Sequence, residues 1–200
     1  VYYAIEVNGV VCGYTESSEI SLPQDGQGLI QQETSVFVML SLLGSQFNSE
    51  IKVKALLDAK TRRLLQADTR IDQGATKLAF AMKVADNEVT LFSSLRGETK
   101  KIVLTPGLVI GSDELFQRLK REFSEKKAVA ASVDSLEILE EEIQKLDFRK
   151  IGEEKLELAG KTFQAMIIEG VNAKTGMKTR YWLAPDCDTF IQYEVSNRKV

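Results

Sequence analysis

The stretch Phe47-Asn-Ser-Glu-Ile-Lys-Val-Lys-Ala-Leu-Leu57 decides the fold class. Ile51, Val53, Ala55 and Leu57 fall on one side of an extended chain, and Asn48, Glu50, Lys52 and Lys54 on the other. A period of two belongs to a strand, so this segment has one buried and one solvated face. Such alternation marks an antiparallel sheet, because strands of a parallel sheet are covered on both faces.

Upstream, Leu29 to Leu43 ends in Val36-Phe-Val-Met-Leu-Ser-Leu-Leu43, which is apolar at alternate and intervening positions alike. Its β-branched and aromatic content predicts a strand covered on both sides, although periodicity alone also admits a short buried helix. The N-terminus reads as a hairpin. Tyr3, Ile5 and Val7 alternate with Tyr2, Ala4 and Glu6, and Asn8-Gly9 supplies a turn in which both positions tolerate φ > 0. The return strand runs from Val10 to Leu22, and Gly13 within it predicts a bulge or a close backbone approach. Pro23 to Gly28 is a loop. Downstream, Asp58 to Thr61 turns into a strand over Leu64–Asp72. Lys77 to Leu104 then divides into three strands at Asp86-Asn87 and Gly97.

One helix is predicted after Pro106, Gly107 and Gly111, with Ser112 or Asp113 as its N-cap. Leu115, Phe116, Leu119 and Phe123 form one apolar stripe. Asp113 and Glu114 in the first turn and Lys126 and Lys127 near the end match the helix dipole. Ala128 to Lys145 is open between two readings: Leu136, Leu139 and Ile143 suit a helix, and strand pairing suits part of the same stretch. Strands over Lys145–Leu158, Thr162–Gly170, Lys178–Leu183 and Phe190–Val195 close the chain in hairpins.

Strands this long exceed the usual mode of about five or six residues, and accumulated twist curls long meanders into barrels or part-barrels. The expected fold is mainly β (α+β), a single domain over residues 1–200. Its frame is a long curved antiparallel sheet, a half-barrel, with one or two helices against the concave face. A flat α+β sandwich is the competing layout.

Composition excludes several functions. The chain has no histidine, which removes Ser-His-Asp and Cys-His catalysis and His-ligated zinc. Cys12 and Cys187 form no CxxC motif, so a structural zinc site is excluded. A disulfide between them needs neighbouring terminal strands, and two unpaired small hydrophobes is the simpler reading. The net charge is −3, and the 26 basic residues are scattered, which argues against nucleic acid. No apolar run approaches the roughly 18 residues that span a membrane as a helix. The chain opens on Val1 without a methionine, as expected where a leader has been removed.

Apparent motifs dissolve under the chemistry they would need. Asp186 and Asp188 lack the further ligands of a calcium loop and fit a Pro-led turn. Glu140, Glu141 and Glu142 are consecutive, so they cannot converge on one bond and suit a solvated face. Arg118, Lys120, Arg121, Lys126 and Lys127 lie opposite the apolar stripe of the helix, again a solvated face. Gly160-Lys161-Thr162 lacks the upstream glycine of a phosphate loop, whose place is taken by Lys155. No catalytic residue, metal site or cofactor is expected. Phe37, Met39, Phe80, Met82, Phe92, Leu115, Phe116, Leu119 and Phe123 are the candidates to line a cavity for an acyl chain, or else to form one packed core.

The two ends of the chain carry a family resemblance. Tyr3-x-Ile5-x-x-Asn8-Gly9-x-x-x-Gly13-Tyr14 resembles the opening of uncharacterised exported bacterial domains. Gly160-Lys161-Thr162-Phe163, Tyr181-Trp182-Leu183-Ala184-Pro185-Asp186 and Tyr193-Glu194 resemble their closing hairpins. Those domains are similar in architecture to the lipoprotein carriers LolA and LolB, and some precede a transglutaminase-like domain. The resemblance implies a periplasmic or cell-envelope location and affinity for a lipid or other hydrophobic molecule. Alternatively, it implies a non-catalytic N-terminal module of a larger exported enzyme, with a protein partner or downstream domain. It carries over no catalytic residues.

Overall fold

The computed structural model describes residues 2–7, 10–22, 28–42, 45–138, 140–158, 160–185 and 190–196. The chain divides into two compact units, Val1–Thr105 and Pro106–Val200. The first unit is an eight-stranded antiparallel meander in which every strand pairs with its sequence neighbours. Its strands are β1 (Tyr2–Val7), β2 (Val10–Leu22), β3 (Leu29–Leu42), β4 (Ser45–Asp58), β5 (Leu64–Gln73), β6 (Thr76–Ala85), β7 (Glu88–Ser93) and β8 (Glu98–Val103). The turns Asn8-Gly9 and Pro23 to Gln27 lie outside the described residues.

Register fixes which side chains share a face. Val36 faces Ile51, Ile51 faces Ile71, and Ile71 faces Leu78. One pair along, Thr34, Val53, Thr69 and Phe80 form the next rung, then Gln32, Ala55, Ala67 and Met82. The Ile51, Val53, Ala55 and Leu57 set is therefore the apolar face, as the alternation predicts. Glu50, Lys52 and Lys54 hold the solvated one.

The same register corrects the reading of Val36–Leu43 as covered on both sides. Val36 and Val38 join the apolar face, whereas Phe37 faces Glu50 and Met39 faces Asn48 on the solvated side. Met39 is 46% exposed. An apolar run here reflects two half-buried faces, because an antiparallel strand inherits the polarity of its neighbours' two sides. Leu43 lies outside the described residues.

Gly13 shows why a strand can require glycine. A Cβ there would lie 2.1 Å from the Phe37 carbonyl oxygen. Beside it the β1–β2 register shifts between Ile5 and Glu6, leaving Cys12 as the extra residue of a bulge. Both alternatives predicted for this glycine are thus realised. Cys12 is a free thiol whose Sγ donates weakly to the Ile5 carbonyl at 3.6 Å; Cys187 lies outside the described residues.

The second unit is a six-stranded sheet with one helix. Its strands are β9 (Val109–Ile110), β10 (Ala130–Glu137), β11 (Glu142–Leu158), β12 (Lys161–Asn172), β13 (Lys178–Leu183) and β14 (Phe190–Ser196). The order is β14-β13-β12-β11-β10-β9, and the short β9 pairs parallel to β10 while the other neighbours are antiparallel. The turn with Asp186 and Asp188 lies outside the described residues.

Ala128–Lys145, open between helix and strand in the sequence, is the β10–β11 hairpin. Leu136 and Ile143, which suit helical spacing, instead face each other across it. Glu141 at φ 55° makes the turn. Leu139 lies outside the described residues.

Helix α1 (Ser112–Leu119) continues as a π-helical segment over Lys120–Glu125. Neither Ser112 nor Asp113 caps it. The N-cap is Gly111 at φ 85°, which donates no side chain. Instead the Glu114 carboxylate accepts the Ile110 N–H at 2.9 Å, reaching back over the first turn as the acid of a capping box does. Leu115, Leu119 and Phe123 pack with Val109, Val133, Phe148, Met166, Ile168 and Leu183 into the core of this unit.

Candidate functional site

The nine apolar candidates are divided between the two units. Phe37, Met39, Phe80, Met82 and Phe92 belong to the first unit; Leu115, Phe116, Leu119 and Phe123 belong to the helix of the second. Within the first unit they divide again. Phe80 and Met82 are buried on the apolar face. Phe92 faces Ala81 on the other side and is 40% exposed, as Phe37 and Met39 also turn to that side. Tyr14 and Phe37 meet there with ring centroids 5.9 Å apart.

Under the helix, side chains fill the space. Leu119 is fully buried, Phe123 nearly so, and Phe116 closes the flank with its ring edge-on to Tyr181 at 6.0 Å. A cleft of about 20 Å³ lies beside this core, lined by Leu146, Phe148, Gly170, Asn172, Met177, Thr179 and Tyr181. That volume suits a water molecule and not an acyl chain. Burial pushes the Tyr181 hydroxyl above its ordinary titration range.

The apolar face of the eight-stranded sheet differs. Over β5 to β7 most of it is covered: Ala67, Ile71, Phe80, Met82, Val89 and Leu91 are buried, and Leu78 and Val84 at its margins are half-buried. Over β3 and β4, on the same face, Val36, Val38, Ile51 and Val53 are only half-buried. One end of this face is polar. Arg62 donates to both carboxylate oxygens of Glu19, at 2.9 and 2.6 Å, and Gln32 donates to the same group at 3.0 Å. Arg62 holds the Glu19 carboxyl below the usual glutamate range.

At this end the connection from β4 to β5 is tightly built. The Asp58 carboxylate accepts the Thr61 hydroxyl and N–H, each at 2.7 Å, and the Lys60 N–H at 3.1 Å. Thr61 thereby lowers the Asp58 carboxyl. Arg63 follows, and its Nε is buried without a hydrogen-bond partner.

Sequence reasoning did not find Arg62, Arg63, Glu19 or Gln32, since long-range polar pairing leaves no local periodicity. It also missed a buried amide pair in the second unit. Asn172 Nδ2 donates to Gln144 Oε1, while Asn172 Oδ1 accepts the N–H groups of Lys174 and Thr175 at 2.9 and 3.0 Å. The Asn-x-x-Thr-Gly turn was the available signal for that second role. Among the described residues no cluster of three acidic or cysteine side chains could hold a metal ion. Among the described residues no helix is long and apolar enough to cross a membrane.

Together these observations define a class, a mainly antiparallel β protein with a single helix and an apolar sheet face left partly uncovered. A known structure has the same kind of fold. The chain is similar to a β-barrel-like protein of the domain of unknown function DUF1849 from Brucella abortus, with a TM-score of 0.59 and 7% identity over 93% of this chain and 82% of that one. At that identity the likeness is one of fold. A DUF1089 family protein from Pseudomonas aeruginosa aligns at a TM-score of 0.46 and 14% identity, over 89% of each chain. No family model matches the sequence, and no curated protein matches it.

Proposed function

We propose that this is a non-enzymatic, exported domain that binds a lipid or other hydrophobic ligand on the apolar face of its eight-stranded sheet. The burial gradient along that face supports the reading. Phe80 and Met82 are sealed at 7% and 2% exposure, whereas Val36, Val38, Ile51 and Val53 on the same face keep part of their surface in water. Exposed apolar surface is unfavourable in proportion to its area, so a hydrophobic ligand laid over these valines and Ile51 gains free energy. The absence of histidine supports a non-enzymatic role, and the likeness of the chain's two ends to exported domains supports the location.

Native mass spectrometry of the freshly purified protein, followed by displacement of an apolar dye from the delipidated protein, tests the binding. Saturable dye uptake that Val53→Lys abolishes is the expected result. No uptake by the wild-type chain overturns it. Cell fractionation of the full-length protein tests the location, and recovery in the cytoplasmic fraction would exclude export.

A further inference from the structure

We propose that the ligand is an amphiphile with an uncharged, hydroxyl-bearing head, and that Thr15, Ser17 and Thr34 receive that head. This rests on the reading that the apolar face of the eight-stranded sheet takes a hydrophobic ligand. Two adjacent rungs of that face change character from strand to strand. In one, Tyr3, Thr15, Val36, Ile51 and Ile71 are neighbours in turn; in the next, Ser17, Thr34, Val53, Thr69 and Phe80. Hydroxyls on β2 and β3 thus run directly into Val36, Ile51 and Val53. All six of these side chains are half-buried, so head and tail contacts share one accessible strip. Neighbouring strands lie about 4.8 Å apart, and the strip spans about 10 Å from β2 to β4.

The polar part of the strip carries no net charge. Ser17 Oγ and Thr34 Oγ1 lie 3.0 Å apart in a hydrogen bond. A hydroxyl both donates and accepts, which matches a head group that does the same. Among the described residues, Glu19 is the only charged side chain that register puts on this face of β2 to β4, one rung beyond Ser17 and Thr34. Arg62 donates to both of its carboxylate oxygens and Gln32 to one, so its charge is answered within the chain. A carboxylate, phosphate or ammonium head would leave water here without a counter-ion, which is costly. A hydroxyl head exchanges hydrogen bonds with water for hydrogen bonds with Thr15, Ser17 and Thr34.

The test is displacement of the apolar dye from the delipidated protein at pH 8 by decyl glucoside, decanoate, decyltrimethylammonium and glucose. Three chains are compared: the wild type, Thr15→Val with Thr34→Val, which removes two hydroxyls, and Thr15→Ser with Thr34→Ser, which keeps them. Decyl glucoside is expected to bind the wild type at least about tenfold more tightly than either charged amphiphile. The valine pair should weaken decyl glucoside about tenfold, the scale of a net hydrogen bond, and leave dye uptake unchanged. The serine pair should keep the preference for the glucoside, and glucose alone should not displace the dye. A charged amphiphile that matches decyl glucoside, or a glucoside affinity untouched by the valine pair, overturns the hydroxyl-bearing head and leaves the hydrophobic site standing. Displacement by glucose as strong as that by decyl glucoside marks a polyol site and overturns the amphiphile. Loss of dye uptake in both the valine and the serine pairs assigns the threonines to the fold instead. A wild type that takes up no dye overturns both this proposal and the reading beneath it.

Discussion

Replacing Gly170 by alanine should destabilise the second unit through one identifiable clash. Gly170 on β12 faces Phe148 on β11 and Thr179 on β13. A methyl group there would lie 2.7 Å from Phe148 Cε1 and 3.0 Å from Cδ1, well inside ordinary contact. The ring has little room to swing away, because Phe148 is 2% exposed and packed among Leu115, Leu119, Met166 and Ile168, with Tyr181 at 6.2 Å, and the cleft beside it holds only about 20 Å³. Overpacking of this kind costs about 1–3 kcal/mol. Against it stands about 0.4–1 kcal/mol from the less flexible unfolded chain, leaving a net loss of about 1–2 kcal/mol. Trp182, the sole tryptophan, sits on β13 of the same sheet and reports urea unfolding by its fluorescence. For a slope of about 1–3 kcal/mol per molar urea the midpoint should fall by about 1 M. Gly152 has nothing within 4 Å of its Cβ position, so Gly152→Ala should hold or raise the midpoint. Phe148→Leu in the Gly170→Ala background should recover part of the loss. Equal midpoints for the two alanine variants, or strict additivity of Gly170→Ala with Phe148→Leu, would refute the reasoning.

Gly13→Ala should be more damaging, since the atom in the way is the Phe37 backbone oxygen and the β2–β3 ladder itself must part; a loss above about 2 kcal/mol in chemical denaturation is expected. Asn172→Ala strips the Gln144 carbonyl oxygen and two turn N–H groups of their partner, and should cost about 2–3 kcal/mol in the Trp182 signal. The Glu19 carboxyl is held down chiefly by Arg62, so its contribution to stability is full above its unfolded value of about pH 4.3 and is lost as pH falls through the lower folded value. Thermal melts of Glu19→Gln between pH 7 and 3 should therefore show a shallower acid decline than the wild type; parallel curves would exclude this contribution.

Much of the fold is written in local alternation. Ile51 to Leu57 fixed one face of β4, and the return of that pattern around Phe80 and Met82 carried it across the sheet. What could not be read locally was partnership. Val36–Leu42 is equally apolar at odd and even positions, and only pairing with Glu50 and Asn48 turns Phe37 and Met39 toward solvent. Leu136 and Ile143 satisfy a helix by spacing and a hairpin by register. The arbiter is Glu141 in a left-handed conformation, which no periodicity encodes.

The candidate site shows the same division at a higher level. Apolar side chains are legible one by one, but whether they line a cavity depends on which element covers them. The helix stripe Leu115, Leu119 and Phe123 is predicted correctly as apolar, and its partners on β10 to β13 fill the space against it. Room for a ligand then has to be sought where apolar residues lack full cover, which is the Val36–Val38 and Ile51–Val53 part of the eight-stranded sheet. The polar end of that face follows a parallel logic. Two consecutive arginines look equivalent in sequence, yet Arg62 meets Glu19 and Arg63 buries its Nε without an acceptor. Folding supplies a counter-charge for one and gives the Nε of the other no acceptor.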